Sequence, residues 1–98
     1  MPVTVIADLQ FTPEATEAGL AALAEMLPAT RGFEGCTGVE VAQDQSDPCR
    51  VLLIESWRSA DDHRAYMAWR ASSGTNTGLR DALAKAPAIS YLDQRTDI

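Results

Sequence analysis

Apolar residues recur at every second position from Val3 to Phe11, with polar residues between most of them. This two-residue period predicts a β-strand over residues 3–11 with one buried face. A second alternating segment covers residues 36–44, and an apolar segment covers residues 51–57. The intervening Gln-Ser-Asp-Pro has the composition of a turn, so these two strands are predicted to form a hairpin. Residues 51–54 do not alternate, which indicates burial on both faces of the third strand.

A first helix is predicted between the first two strands. Thr12 and Pro13 are typical of a helix start, with Thr12 as the N-cap and Pro13 at the first helical position. Leucines then follow at helical spacing. Pro28 marks the region in which we predict that this helix ends.

The second helical region follows the third strand and has an interruption. We predict a helix over residues 59–71, a break over the Ser-, Thr- and Gly-rich residues 72–78, and a resumed helix over residues 79–86. Pro87 ends this helix, and residues 88–95 form the last predicted strand.

The predicted order, β-α-β-β-α-β, is that of the ferredoxin-like α+β fold, a four-stranded antiparallel sheet with two helices on one face. The 98 residues make one domain, residues 1–98. The second face of the sheet would be bare in a single chain. A second copy of a small chain usually covers such a face, so we predict a homodimer with the two sheets face to face.

Charge and composition restrict the partners and the compartment. The formal net charge is −6, and there is no run of Lys or Arg, which argues against a nucleic-acid partner. No apolar stretch approaches the roughly 20 residues that span a bilayer. The N-terminus also lacks the basic and apolar segments of a secretory signal. We therefore expect a cytoplasmic protein with no membrane partner.

The two cysteines, Cys36 and Cys49, lack metal-type spacing. If the hairpin turn is centred near Ser46, residues whose numbers add up to about 92 face each other. Cys36 then faces Ser56, and Cys49 faces Gln43. This separation is beyond the reach of a disulfide, so both thiols are expected to be free.

Polar-tipped aromatic residues cluster where the third strand meets the second helical region. His63, Tyr66 and Arg70 recur at spacings of three and seven, so they share one face of the helix. Such side chains are costly to bury without partners, and they often line a pocket. His63 is either a partly buried helix residue or a pocket base, since its reference pKa of about 6.5 suits proton transfer at neutral pH.

Neighbouring residues have alternative interpretations as well. Trp57, in phase with Leu53 on the strand, is either a core residue or a wall that stacks on a planar substrate. Tyr66 and Trp69 lie one turn apart on the helix, which favours a structural role, in contact with the partner subunit. Glu55 is interpreted as a strand carboxylate near the dimer interface and not as the general base.

Two motifs carry a resemblance to a known family. Gly32-Phe33-Glu34-Gly35-Cys36 precedes the second strand, and Glu55-Ser56-Trp57 ends the third. In a β-α-β-β-α-β frame covering nearly the whole chain, they resemble the antibiotic biosynthesis monooxygenase family of the dimeric α/β barrel superfamily. The resemblance implies a homodimer that acts without metal or organic cofactor. It further implies that molecular oxygen oxidises a phenolic, polyketide-like aromatic substrate to a quinone.

The resemblance also implies roles for individual residues. The family's tryptophan corresponds to Trp57, and its catalytic arginine is similar to Arg80 in the stretch Arg-Asp-Ala-Leu. A family tyrosine is replaced by His63, and an asparagine by Leu53. We therefore expect His63 as the base and Arg80, or as second choice Arg70, as the positive group that stabilises the substrate anion. Trp57 completes this catalytic set. The expected substrate-binding residues are Tyr66, Arg70, Trp69 and Leu53.

Two alternatives to a monooxygenase stay open. One is a non-catalytic dimeric module that binds a small ligand, which Leu53 and His63 at family catalytic positions favour. The other is a cofactor-free isomerase or cyclase that uses the same pocket. Haem degraders of the superfamily use an asparagine on the first strand and a late histidine, whereas this chain has Ala7 and Asp8 there and no histidine after His63. No metal site is expected, because one histidine and scattered carboxylates lack ligand spacing.

Overall fold

The computed structural model describes residues 2–74 and 77–98. The strands are β1 (Val3–Gln10), β2 (Cys36–Gln43), β3 (Arg50–Trp57) and β4 (Ala88–Asp93). The helices are α1 (Thr16–Arg31), α2 (Ala60–Ser73) and α3 (Thr77–Ala82), and a short 3-10 turn, Pro13–Ala15, precedes α1. This order confirms the predicted ferredoxin-like arrangement. Residues 88–93 are strand, so β4 ends two residues before the predicted boundary, and β2 ends one residue before its own.

The four strands form one antiparallel sheet in the order β2-β3-β1-β4. Strand β1 lies in the centre, so its residues from Val3 to Asp8 have a neighbour on both sides. Val5 faces Glu55 of β3 on one side and Tyr91 of β4 on the other. Paired residues point to the same face of a sheet, so these three side chains share the face that the helices cover.

None of the described helices covers the opposite face of the sheet. In β3, Val51 and Leu53 are buried, whereas Leu52 and Ile54 remain partly exposed. Leu92 of β4 is exposed on this face too. The two-sided burial predicted for residues 51–54 is therefore not reached in a single chain, where burial alternates along the strand.

The main apolar core lies between the sheet and helices α1 and α3. Phe11 is buried in it, and its backbone N–H donates to the carbonyl of Cys49 over 2.8 Å. The Phe11 ring lies directly against α1 at Gly19, where an added Cβ would be 2.5 Å from the nearest ring carbon. Position 19 therefore has no room for a side chain.

The start and the end of α1 differ from the prediction. The Thr12 side chain makes no capping hydrogen bond; instead, its carbonyl accepts from the Thr16 hydroxyl over 2.9 Å. Pro28 lies inside the helix, which continues to Arg31. The helix continues past Pro28 because backbone hydrogen bonds still hold its last turn. The Gly32 N–H, for example, donates to the Pro28 carbonyl over 3.2 Å.

Helix α2 extends two residues beyond its predicted end, to Ser73. Gly74 then stops it in a left-handed conformation with φ of 66°, and its N–H donates to the Arg70 carbonyl over 3.2 Å. This is the conformation that glycine adopts most readily at a helix end. The predicted break over residues 72–78 is also wrong at residues 77 and 78, because α3 begins at Thr77; residues 75 and 76 lie outside the described residues.

Helix α3 ends four residues before the predicted boundary, at Ala82. The backbone groups that follow Ala82 form hydrogen bonds with the end of β1 and the residue after it, and they do not continue the helix. Leu83 forms a bridge with Phe11, and the Ala84 N–H donates to the Gln10 carbonyl over 2.7 Å. These tertiary bonds outweigh the helical pattern of the sequence.

The hairpin between β2 and β3 is predicted correctly, but its register is different. Gln43 faces Val51 instead of Cys49, and an irregularity after Cys36 sets that residue opposite Trp57 instead of Ser56. Both cysteines are free, as predicted.

Candidate functional site

The junction between β3 and α2 is built by strand alternation followed by a capped helix start. Alternate residues of β3 point toward the helices and are buried, namely Val51, Leu53, Glu55 and Trp57. The Ser59 hydroxyl accepts the Asp62 N–H over 3.2 Å, which caps α2. Asp61 and Asp62 in the first turn also suit the positive end of the helix dipole. The cap fixes where α2 begins and hence which of its residues face the sheet.

A cavity lies on this helix-covered face of the sheet. It is lined by Ala7, Leu9, Met26, Leu53, Glu55, His63, Tyr66, Met67, Arg70, Leu79, Pro87 and Ile89. Its volume is about 80 Å³, which is small beside the roughly 300–1,000 Å³ of drug-sized pockets. Met67 and Ile89 are also exposed at the protein surface. The cavity therefore reaches the surface between α2 and β4, and it suits a small ligand or one ring of a larger one.

Glu55 places a carboxylate inside this cavity. The residue is only 5% exposed, and its Oε1 accepts the indole N–H of Trp57 over 2.8 Å. Burial raises the pKa of the Glu55 carboxyl, and the Trp57 hydrogen bond and the charge of Arg70 oppose that rise. The side chain points to the helix-covered face of the sheet, so Glu55 faces the cavity and not the bare sheet face.

His63 is 2% exposed and has a protein group on each side of its ring. Its Nδ1 lies 2.8 Å from the Tyr91 hydroxyl, and its Nε2 lies 3.8 Å from Glu55 Oε1. The second distance is too long for a direct hydrogen bond. Burial lowers the pKa of His63, and the nearby charge of Arg64 lowers it further. Both effects favour the neutral imidazole.

Arg70 is a buried cation that is only partly satisfied. It is 4% exposed, and its Nη1 donates to the Tyr66 hydroxyl over 3.1 Å. The Tyr66 hydroxyl is in turn hydrogen-bonded to the hydroxyl of Thr30, which fixes the orientation of the guanidinium. Nη2 of Arg70 is buried and has no hydrogen-bond partner among the described residues. Buried donors almost always have partners, so this nitrogen marks a place for an acceptor from a ligand or a water.

The structure brings four of the predicted site residues to the cavity, which are His63, Tyr66, Arg70 and Leu53. Trp57 is fully buried behind the lining, where it holds Glu55. Trp69 is exposed and packs against Phe33, with ring centroids 5.5 Å apart. Arg80 is exposed on α3 and does not belong to the lining, although its neighbour Leu79 does. Arg70, which the sequence analysis gives as the second choice for the positive group, is thus the arginine that lines the cavity.

Sequence reasoning missed two residues of the site. The phase of Glu55 with Leu53 and Trp57 along the strand is a signal in the sequence that predicts its burial. Tyr91 gave no local signal, because its position opposite His63 depends on how β4 pairs with β1.

The described residues show neither a cluster of metal ligands nor a membrane span. No group of three or more His, Cys, Asp or Glu side chains within residues 2–74 and 77–98 is placed to hold a metal ion. Within the same ranges, no helix combines the length and the apolar character that crossing a membrane requires.

Residues 2–76 match the family model of the antibiotic biosynthesis monooxygenases. None of the curated proteins matches the chain. Among solved structures, a Bordetella bronchiseptica protein proposed to be an antibiotic biosynthesis monooxygenase has a TM-score of 0.84 at 20% identity, over 96% of this chain and 97% of that one. A conserved Methanosarcina mazei protein has a TM-score of 0.85 at 19% identity, over 97% and 94%. Rv0793 from Mycobacterium tuberculosis has 0.83 at 23% identity, over 97% and 96%. At these identities the structures establish the fold alone.

Proposed function

Since the chain belongs to the antibiotic biosynthesis monooxygenase family, we propose that it uses molecular oxygen to oxidise a phenolic aromatic substrate to a quinone, without metal or organic cofactor. The observation that carries this proposal is the buried, unpartnered Nη2 of Arg70, a residue that lines the same cavity as Glu55. A base and a fixed cation beside one apolar space are what a phenol needs to become a bound phenolate.

In the first step, Glu55 removes the phenolic proton. Both ring nitrogens of His63, the base expected from the sequence, are turned toward protein groups, so we assign the proton transfer to the carboxylate. Burial raises the pKa of Glu55, and a base whose pKa lies closer to neutrality is a more effective proton acceptor at neutral pH. The phenolate then bonds to Nη2 of Arg70, which supplies a preorganised positive charge.

The electron-rich ring then reacts with oxygen itself. The anion transfers one electron to dioxygen, and the two resulting radicals combine to form a carbon–oxygen bond. Protonation by Glu55 gives a hydroperoxide, and removal of the hydrogen from the same carbon breaks the O–O bond. One oxygen atom remains in the quinone, and the other leaves as water, whose two hydrogens come from the substrate. The apolar lining excludes water from the anion during these steps.

Oxygen uptake with 1-naphthol, anthrone and a single-ring phenol tests this proposal. We expect one molecule of oxygen to be consumed per quinone formed, and one ¹⁸O atom from labelled oxygen to appear in the quinone. Arg70→Met should lower the rate, whereas Arg95→Met, which removes an exposed guanidinium paired with Asp97, should not. Binding without oxygen uptake would favour the ligand-binding module, and turnover under anaerobic conditions would favour an isomerase or cyclase.

We also propose that the chain works as a homodimer whose subunits join through the bare sheet face. The partly exposed Leu52 and Ile54 and the exposed Leu92 on that face support this proposal. A stable interface of this kind buries well over ~1,000 Å² in total. Sedimentation should give the mass of a dimer at micromolar concentration, and Leu92→Glu should shift it toward that of a monomer. Ile98→Glu, at an exposed site in the tail, is the matched control. A monomeric wild-type protein would contradict the proposal.

A further inference from the structure

We propose that Tyr91 is a positioning residue that selects the tautomer of His63. In this arrangement the Tyr91 hydroxyl donates to Nδ1 of His63, so the ring proton is on Nε2 and faces the Glu55 carboxylate. The consequence for catalysis rests on the proposed function, in which Glu55 is the base. The tautomer itself does not depend on that function and can be measured separately.

The geometry of Tyr91 supports this role. Its hydroxyl lies 2.8 Å from Nδ1, and its ring meets the imidazole edge-on, with centroids 5.3 Å apart. Strand pairing fixes the position, because Tyr91 faces Val5 of β1 and Val5 faces Glu55 of β3. Tyrosine and carboxylate therefore lie two strands apart on the same face of the sheet, and His63 reaches down between them from α2.

The direction of the hydrogen bond between the Tyr91 hydroxyl and Nδ1 follows from the surroundings of Nε2, which faces Glu55. If Nδ1 carried the proton, the lone pair of Nε2 would face Glu55 Oε1 at 3.8 Å. Two regions of negative charge would then lie close together in a dry site, where such repulsion is strong. With the proton on Nε2, the N–H dipole points toward the carboxylate and favours its ionised form. A hydroxyl on Nδ1 that can donate is what stabilises this tautomer.

Several other charged or titratable groups surround this pair. On α2 these are Arg64, Tyr66 and Arg70, on β2 Cys36, and on β4 Tyr91 itself. Arg64 also lies over the Tyr91 ring, 5.2 Å from its centroid. None of the others is within hydrogen-bonding distance of Nδ1 of His63 among the described contacts. The hydroxyl of Tyr91 is thus the group that can fix this nitrogen.

Nitrogen NMR of ¹⁵N-histidine-labelled protein tests the proposal directly, because His63 is the only histidine. The wild type should show a protonated Nε2 and an unprotonated Nδ1 at neutral pH. Tyr91→Phe keeps the ring packing but loses the hydroxyl, so the two nitrogen signals should move toward a mixture of tautomers. Ser90→Ala removes a hydroxyl from the neighbouring, oppositely facing position of β4 and should leave both signals unchanged.

Kinetics on a verified substrate give the second readout. Tyr91 is not part of the cavity lining, so Tyr91→Phe should leave KM unchanged. It should lower kcat by roughly three- to tenfold, the factor for one neutral hydrogen bond. The acid limb of the pH profile should also move to higher pH, since Glu55 loses support for its ionised form.

Either a wild-type His63 protonated on Nδ1 or nitrogen signals that do not respond to Tyr91→Phe would overturn the proposed tautomer. A changed tautomer with undiminished kcat would overturn the positioning role of Tyr91 in catalysis. The NMR measurement needs no substrate. Failure of the oxygenase proposal would therefore be seen as absent oxygen uptake alone, with the tautomer result standing independently.

Discussion

Replacing Arg70 by methionine separates what the guanidinium does for turnover from what it does for the fold. Methionine is similar in length and can fill the space beside Tyr66, but it cannot bind an anion. Removing one preorganised donor to a developing anion costs about 10²–10³-fold in kcat. We therefore expect kcat/KM of Arg70→Met to fall by roughly 10²-fold.

The expected change in the free energy of unfolding is small, because opposing effects nearly cancel. Removing the unsatisfied Nη2 of Arg70 relieves about 1–3 kcal/mol. Losing the hydrogen bond to the Tyr66 hydroxyl costs about 1 kcal/mol. Losing the guanidinium above the Tyr66 ring, 5.7 Å from its centroid, costs about 0.5–1 kcal/mol. These three terms give a net change between about −1 and +1.5 kcal/mol, to which the loss of the Arg70 charge near Glu55 adds a further cost. Breaking a fully paired buried charge costs about 3–5 kcal/mol.

Oxygen uptake and urea unfolding of the same preparations measure both quantities. Arg95→Met, at an exposed ion pair, should match the wild type in both. Arg70→Lys keeps the charge but loses the planar fork, so its kcat/KM should be intermediate. A variant Arg70→Met that loses more than about 3 kcal/mol of stability and still turns over at the wild-type rate would show that Arg70 is structural, and the site assignment would be wrong.

Three further predictions follow from the contacts of the site and its neighbourhood. Glu55→Gln should lower kcat/KM by roughly 10²–10⁴-fold. Because burial raises the pKa of Glu55, the wild type loses stability as pH rises through the folded-state pKa of this carboxyl, whereas the glutamine variant does not. In urea unfolding, the free energy of unfolding of the variant relative to the wild type should therefore be higher at about pH 8 than at about pH 4. Trp57→Phe removes the indole N–H that donates to Glu55 over 2.8 Å, so the acid limb of the kcat/KM profile should move to higher pH; an unmoved limb would mean that this bond does not tune the carboxylate. Gly35 has φ of 92°, and an added Cβ would be 2.5 Å from that of Asp62, so Gly35→Ala should lose about 1–3 kcal/mol on thermal or urea unfolding. Gly38→Ala, in open space, is the control, and equal losses at both positions would contradict the argument.

The types and the order of the elements were predictable because their signals are local. Strand alternation and helical spacing each need only a window of a few residues. The ends of the elements were less predictable where tertiary bonds decide them. Pro28 does not end α1, because later residues still hydrogen-bond across it. The last predicted helix stops at Ala82, because the following backbone bonds go to Gln10 and Phe11.

The residues of the site also fall into those with a local signal in the sequence and those whose position depends on tertiary contacts. Helical spacing alone predicts that His63, Tyr66 and Arg70 share a face, and all three line the cavity. The phase of Glu55 with Leu53 and Trp57 along the strand indicates an inward side chain, but it does not show that the carboxylate meets a cavity. Tyr91 depends on pairing between the first and last strands, which are separated by most of the chain. No local pattern could reveal that contact.

The close approach of Phe11 to Gly19 restricts how this sequence can change over time. Any side chain at position 19 meets the aromatic ring at 2.5 Å, so a mutation there is not accepted while the ring is present. A smaller residue at position 11 would open the space first, at the cost of a core cavity. The two positions therefore have a preferred order of substitution. Among related sequences that keep this packing, they should vary as a pair, with an aromatic residue at one position accompanied by glycine at the other.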